Sequence, residues 1–113
     1  MAPPLHAGLT PDRWHQLDIV EQLANVGSEV DRAIRAHEAG RTDRRDHAIA
    51  RALELFDLTA TDPRWHGPRR REVLRGREYF CRLFFDAETI EPDAGAFLRT
   101  YFLQFAVAAR RGR

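Results

Sequence analysis

One amphipathic segment, Thr10 to Gly40, limits what this chain can become; Leu23-Ala24-Asn25-Val26-Gly27-Ser28-Glu29-Val30 lies at its middle. Trp14, Leu17, Val20, Ala24, Gly27 and Ile34 recur at helical spacing, and Ile19, Leu23, Val26, Val30 and Ala33 form a second stripe beside them. Two adjacent stripes make the wide buried face of a bundle helix rather than a narrow coiled-coil seam. Thr10 can cap the first turn, Pro11 suits the first helical position, Asp12 favours the positive end of the dipole, and Gly40 offers a stop. The segment therefore reads as one helix of roughly 28 residues, about 42 Å long. Ala24, Gly27 and Ser28 leave a small-residue patch. Glycine inside a helix costs about 1 kcal/mol relative to alanine, and close approach of another helix would compensate for it.

Three further helices follow. Thr42 caps the second, with Asp43 and Asp46 in its first turn, and it runs to about Ala60. It is apolar almost all round, which predicts a central position. Pro63 biases Asp62 away from helix, and Pro68 opens a third helix to about Asp86. Its expected buried stripe is Val73, Leu74, Arg77, Phe80, Cys81, Phe84 and Phe85. Pro92 and Asp93 open the fourth, which runs to about Arg110; Phe97, Leu98, Tyr101, Phe102, Phe105 and Ala109 share one face. No segment alternates with period two. The expectation is an all-α, up-down-up-down four-helix bundle over residues 10–110, with a long first helix and a flexible arm over 1–9. The overhanging first helix and the two-sided fourth leave apolar surface, so a homo-oligomer is expected. Its interface residues would be Trp14, Leu17, Ala24, Gly27, Phe97, Tyr101 and Phe105.

Composition narrows the chemistry. The 113 residues suffice for one domain with one core, and the net charge of +1 selects no partner globally. All 18 basic residues are arginine, which a GC-rich genome would explain, yet each carries a planar fork suited to carboxylates or phosphates. A single cysteine, Cys81, excludes an internal disulfide and a cysteine-based zinc site. Met1 to Leu9 lacks the pattern of a secretory signal, and no apolar run approaches the ~18 residues of a membrane span. The cytoplasm is the default compartment.

The densest basic stretch, Arg64 to Arg82, holds seven arginines against two glutamates. Arg64, Trp65, Arg69, Arg70, Arg71 and Arg75 could contact nucleic-acid phosphates, with the indole stacking on a base, or an acidic protein. Against this, Glu72 and Glu78 pair with Arg75 and Arg82 at helical spacing. Glu29, Arg51, Glu54, Asp57 and Arg77 border the apolar stripes, which suggests interhelical ion pairs that set register. Asp12-x-x-His15 and Asp43-x-x-x-His47 put two ligands on one face, but no Glu-x-x-His exists for a di-iron bundle. Neither metal nor cofactor is implied. Arg32-x4-His37 and Arg41-x5-His47 match the loose spacing of an arginine–histidine pair.

That spacing resembles the Arg-x4-6-His signature of HEPN-type helical ribonucleases. The resemblance implies a dimer cleft in which histidine does acid–base work and arginine holds the phosphate. The small polar residue usual after the arginine is missing: Ala33 stands there, or the weaker Thr42. Glu21 to Val30, Arg51 to Thr59 and Tyr101 to Arg110 also resemble a small all-helical prokaryotic family of no known activity; from about Trp14 onward this implies one compact domain. A looser likeness, at fold level, is to small bundle proteins that form rings beside reverse transcriptases. The leading expectation is a non-enzymatic, self-associating accessory or interaction module, with a HEPN-like ribonuclease as the alternative.

Overall fold

The computed structural model describes residues 11–86 and 93–111. These form five helices and no strand: α1 Pro11–Trp14, α2 Ile19–Glu38, α3 Thr42–Ala60, α4 Pro68–Phe85 and α5 Ala94–Arg111. The all-α expectation holds, but the single long first helix does not. The chain breaks between Trp14 and Ile19, because Asp18 is extended (φ −76°, ψ 172°) and its Oδ1 accepts from Glu21 N at 2.8 Å. Asp18 thus caps α2, and Asp18-x-x-Glu21 has the spacing of a capping box. The apolar pattern runs through the break, since Trp14 and Leu17 still face the core. Thr10, the arm at 1–9, the connector after Asp86 and Pro92 lie outside the described residues.

Other boundaries fall close to expectation. Gly40, at φ 70°, ends α2; Arg41 N donates to Ala36 O at 2.8 Å and Gly40 N to His37 O at 3.1 Å. This is the paired-bond termination that a left-handed residue permits. Thr42 is the first residue of α3 rather than its cap; Arg41 holds the cap position, and no side chain caps the helix.

The central element is α2, not the more uniformly apolar α3, because α2 packs along both α3 and α5. Gln22 meets Asp62, Glu29 meets Arg51 and His37 meets Arg45, so α2 and α3 run antiparallel. On the other side Gly27 faces Phe102, Asp31 pairs with Arg99 at 2.7 Å, and Ile34 faces Gly95. A Cβ on Gly27 would lie 2.7 Å from Phe102 Cβ. The glycine is therefore the close-approach point that its small neighbours predict.

Helix α4 joins through Phe56 against Phe80 (ring centroids 5.7 Å apart) and Arg77 Nε on Asp57 Oδ1 at 2.9 Å. It meets α5 through Tyr79 against Phe97 and through the Tyr101 hydroxyl, which donates to Glu72 Oε1 at 2.6 Å. The inward face of α4 is Val73, Gly76 and Phe80. Leu74 is exposed, as is Phe85 at 66%, and both leave the expected stripe. On α5 only Leu98 and Phe102 are fully buried, while Phe97 is 60% exposed.

A buried polar cluster ties together the helix ends. Gln22 Nε2 donates to Trp14 O and to Asp62 Oδ2, each at 3.0 Å, and its Oε1 accepts from Trp65 Nε1 at 2.6 Å. Trp14 Nε1 donates to Thr59 Oγ1 at 3.1 Å. Arg64 Nη2 donates to Asp62 Oδ2 at 2.7 Å and to Leu17 O at 2.6 Å. The Arg64 side chain, then Gln22 and the Arg64 amide, hold the Asp62 carboxyl far below the usual carboxylate range, against the desolvation that pushes it up.

This packing makes three substitutions informative. Gly27→Ala should destabilise by about 1–2 kcal/mol in denaturant titrations, because the overlap with Phe102 outweighs the gain in helix propensity. Gly76→Ala meets only ordinary contacts at 3.7 and 3.8 Å, and should instead stabilise by up to about 1 kcal/mol. Asp62→Asn should cost about 2 kcal/mol at pH 7. Since the folded pKa is depressed, that stabilisation exists above the unfolded value of about 4 and is lost as pH falls from there through the folded value. The gap between Asp62→Asn and the parent protein should therefore shrink in acid below about pH 4.

Candidate functional site

The turn at Gly40 folds α3 back along α2, and arginines from both helices then line one open groove of about 570 Å³. Arg32 and Arg35 come from the last turns of α2; Arg41, Arg44 and Arg51 come from the N-terminal half of the hairpin's return. Ala36, Ala39 and Ala48 leave room between them, and His47 and Asp43 complete the wall. Five arginines and one acidic residue, Asp43, thus line the groove.

Two of the arginines are held by one acid. Glu29 is buried, and its Oε1 accepts from Arg32 Nη1 at 2.9 Å while Oε2 accepts from Arg51 Nε at 3.1 Å. A buried carboxylate needs such pairing, and the pairing fixes both side chains at the groove wall. Arg35 Nε lies 3.0 Å from Asp31 Oδ2. The side chains of Arg41, Arg44 and His47 have no hydrogen-bond or ion-pair partner among the described residues. The first turn of α3 is also uncapped, so its free N–H groups add positive potential at the same place. The carbonyl end of α2 lies in the same turn, and its opposite dipole makes the cation density tolerable.

This arrangement concentrates positive charge on one open surface. It has the size of a ligand site but contains neither a nucleophile motif nor a pair of carboxylates. Arg32, Arg41 and His47, singled out for their spacing, share the groove. His37 does not: its Nδ1 lies 3.5 Å from Arg45 Nη1 and its ring sits edge-on to Phe84. Arg35 and Arg44 escape a reading that takes each helix alone. Their signal is arginine at helical spacing on both sides of a helix-terminating glycine.

The other expected sites fare differently. Arg64 bonds to Asp62 and to Leu17 O, and Trp65 is only 8% exposed with its N–H on Gln22. Arg69 lies over the Trp65 ring at 5.4 Å. Arg70 and Arg71 are exposed, and Arg75 is 3.8 Å from Glu72. Among the expected interface residues, Trp14 is buried within its own chain and Gly27 packs against Phe102. Leu17, Tyr101 and Phe105 pack partly on the core, Ala24 is half-buried, and Phe97 remains exposed. Cys81 is half-buried with Arg77 Nη1 3.9 Å from its sulfur. No group of three or more His, Cys, Asp or Glu among the described residues could hold a metal. Among those residues no helix is long and apolar enough to cross a membrane. No family model, curated protein or solved structure matches the chain.

Proposed function

We propose that the protein is a non-enzymatic, self-associating helical module that binds a phosphate-bearing polyanion in the groove between α2 and α3. The observation that carries this reading is the convergence of Arg32, Arg35, Arg41, Arg44 and Arg51 on one groove in which Arg41 and Arg44 have no acidic partner among the described residues. Guanidinium forks match phosphate oxygens, and a single-stranded nucleic acid is the polyanion whose backbone such a groove would track. An acidic protein segment is the competing ligand of the same charge. The antiparallel pairings of α2 with α3 and α5, and of α4 with α5, support an up-down-up-down bundle with α1 as an appendage. Exposed Phe85, Phe97, Leu103, Leu74 and Tyr79 support self-association.

A HEPN-like ribonuclease is the enzymatic alternative. The shared position of Arg32, Arg41 and His47 favours it, and the placement of His37 beside Phe84 weighs against it.

Fluorescence anisotropy with a labelled 12-nucleotide single-stranded RNA tests the reading. If three phosphates are engaged, log K should fall with log salt at a slope of about −2. Arg41→Glu with Arg44→Glu should weaken binding at least tenfold with unchanged circular dichroism, whereas glutamates at Arg69, Arg70 and Arg71 should leave most of it. Binding lost only in the second variant would move the site to α4, and salt-insensitive or absent binding would reject the phosphate reading. Cleavage of the RNA that disappears in His47→Ala would establish the ribonuclease instead.

A further inference from the structure

A second opening, of about 190 Å³, enters the molecule on a different side, where α4 and α5 meet only loosely. Ile19 and Leu23 of α2 and Phe102 and Phe105 of α5 form most of its apolar wall. Gly76 keeps it open: a Cβ there would still stand 3.7 Å from Phe56 and 3.8 Å from Phe102. A cavity of about 150 Å³ with Leu, Ile and Phe walls is enough to hold benzene, so this one has room for a single ring or a short alkyl chain.

Its two charged wall residues differ in availability. Glu72 is engaged, because Oε1 accepts the Tyr101 hydroxyl at 2.6 Å and Oε2 lies 3.8 Å from Arg75. Burial, with the neighbouring Glu72 carboxylate, pushes the Tyr101 phenol above its ordinary range, so Tyr101 stays a donor committed to Glu72. Arg69 has no carboxylate partner among the described residues; its guanidinium lies over the Trp65 ring at 5.4 Å. An apolar chamber with one cation unclaimed by an acid selects an amphipathic anion. We infer that this pocket binds a small monocarboxylate, its ring or short chain among Ile19, Leu23, Phe102 and Phe105 and its carboxylate on Arg69. This site is separate from the arginine groove and holds or fails independently of it.

The test uses 3-phenylpropanoate and its neutral analogue 3-phenylpropan-1-ol, titrated against the full chain while the methyl resonances of Ile19 and Leu23 are followed. Saturable shifts at both residues are expected with the acid, at least fivefold weaker with the alcohol. Arg69→Gln, an exposed change that leaves the core intact, should bring the acid down to the alcohol's affinity. Gly76→Leu, which fills the chamber, should remove binding of both while circular dichroism is unchanged. The assignment is overturned if neither compound gives saturable shifts at Ile19 and Leu23 up to 10 mM. It is equally overturned if the shifts map to Phe85 and Phe97, or if acid and alcohol bind alike in the parent protein.

Discussion

The buried carboxamide of Gln22 is the constraint on which the arrangement of helix ends depends. An amide in an apolar interior must place both its donor and its acceptor, or incur a desolvation cost of about 1–3 kcal/mol. Here the donor reaches Trp14 O and Asp62, and the acceptor receives the Trp65 indole. One side chain on α2 therefore fixes where α1 ends, where α3 ends and how the connector to α4 leaves. Apolar packing alone would allow these ends to slide; directional bonds with fixed partners do not.

Charge is used the same way further along α2. Glu29 is buried, and by taking Arg32 and Arg51 it sets the register of α2 on α3. The same two bonds shape the groove, because they hold two of its arginines in place. Asp31 repeats the pattern between Arg35 and Arg99, which links the groove wall to α5. The arginines divide into those that set register and those left facing solvent. The second set, Arg41 and Arg44 in the groove, Arg69, Arg70 and Arg71 on α4 and Arg111 at the end of α5, has no acidic partner among the described residues.

Much of this is legible in the residues themselves. Pro68 marks the start of α4, Gly40 the end of α2, and the glycine among small residues marks the contact with Phe102. The break after Trp14 is not legible from periodicity, since the inward-facing pattern continues across it; only the Asp18-x-x-Glu21 spacing announces it. Phe85 and Phe97 look buried in sequence because a helical stripe does not say how much of it a neighbour covers. Arg64 and Trp65 look like ligand residues because their partners, Asp62 and Gln22, become apparent only when α2 is laid against the end of α3. Spacing alone picks out Arg32, Arg41 and His47, yet it is the hairpin, not the spacing, that brings them together with Arg35 and Arg44.

The turn at Gly40 makes both walls of the groove close neighbours in sequence. All of its lining residues lie within the stretch 32–51, and the bonds from Glu29 that brace it come from the same hairpin. Local contacts of this sort form early and at small entropic cost. Helix α4, whose seams with α3 and α5 are both narrow, can loosen without dismantling it. The groove is thereby insulated from breathing of α4, beside which the apolar chamber opens.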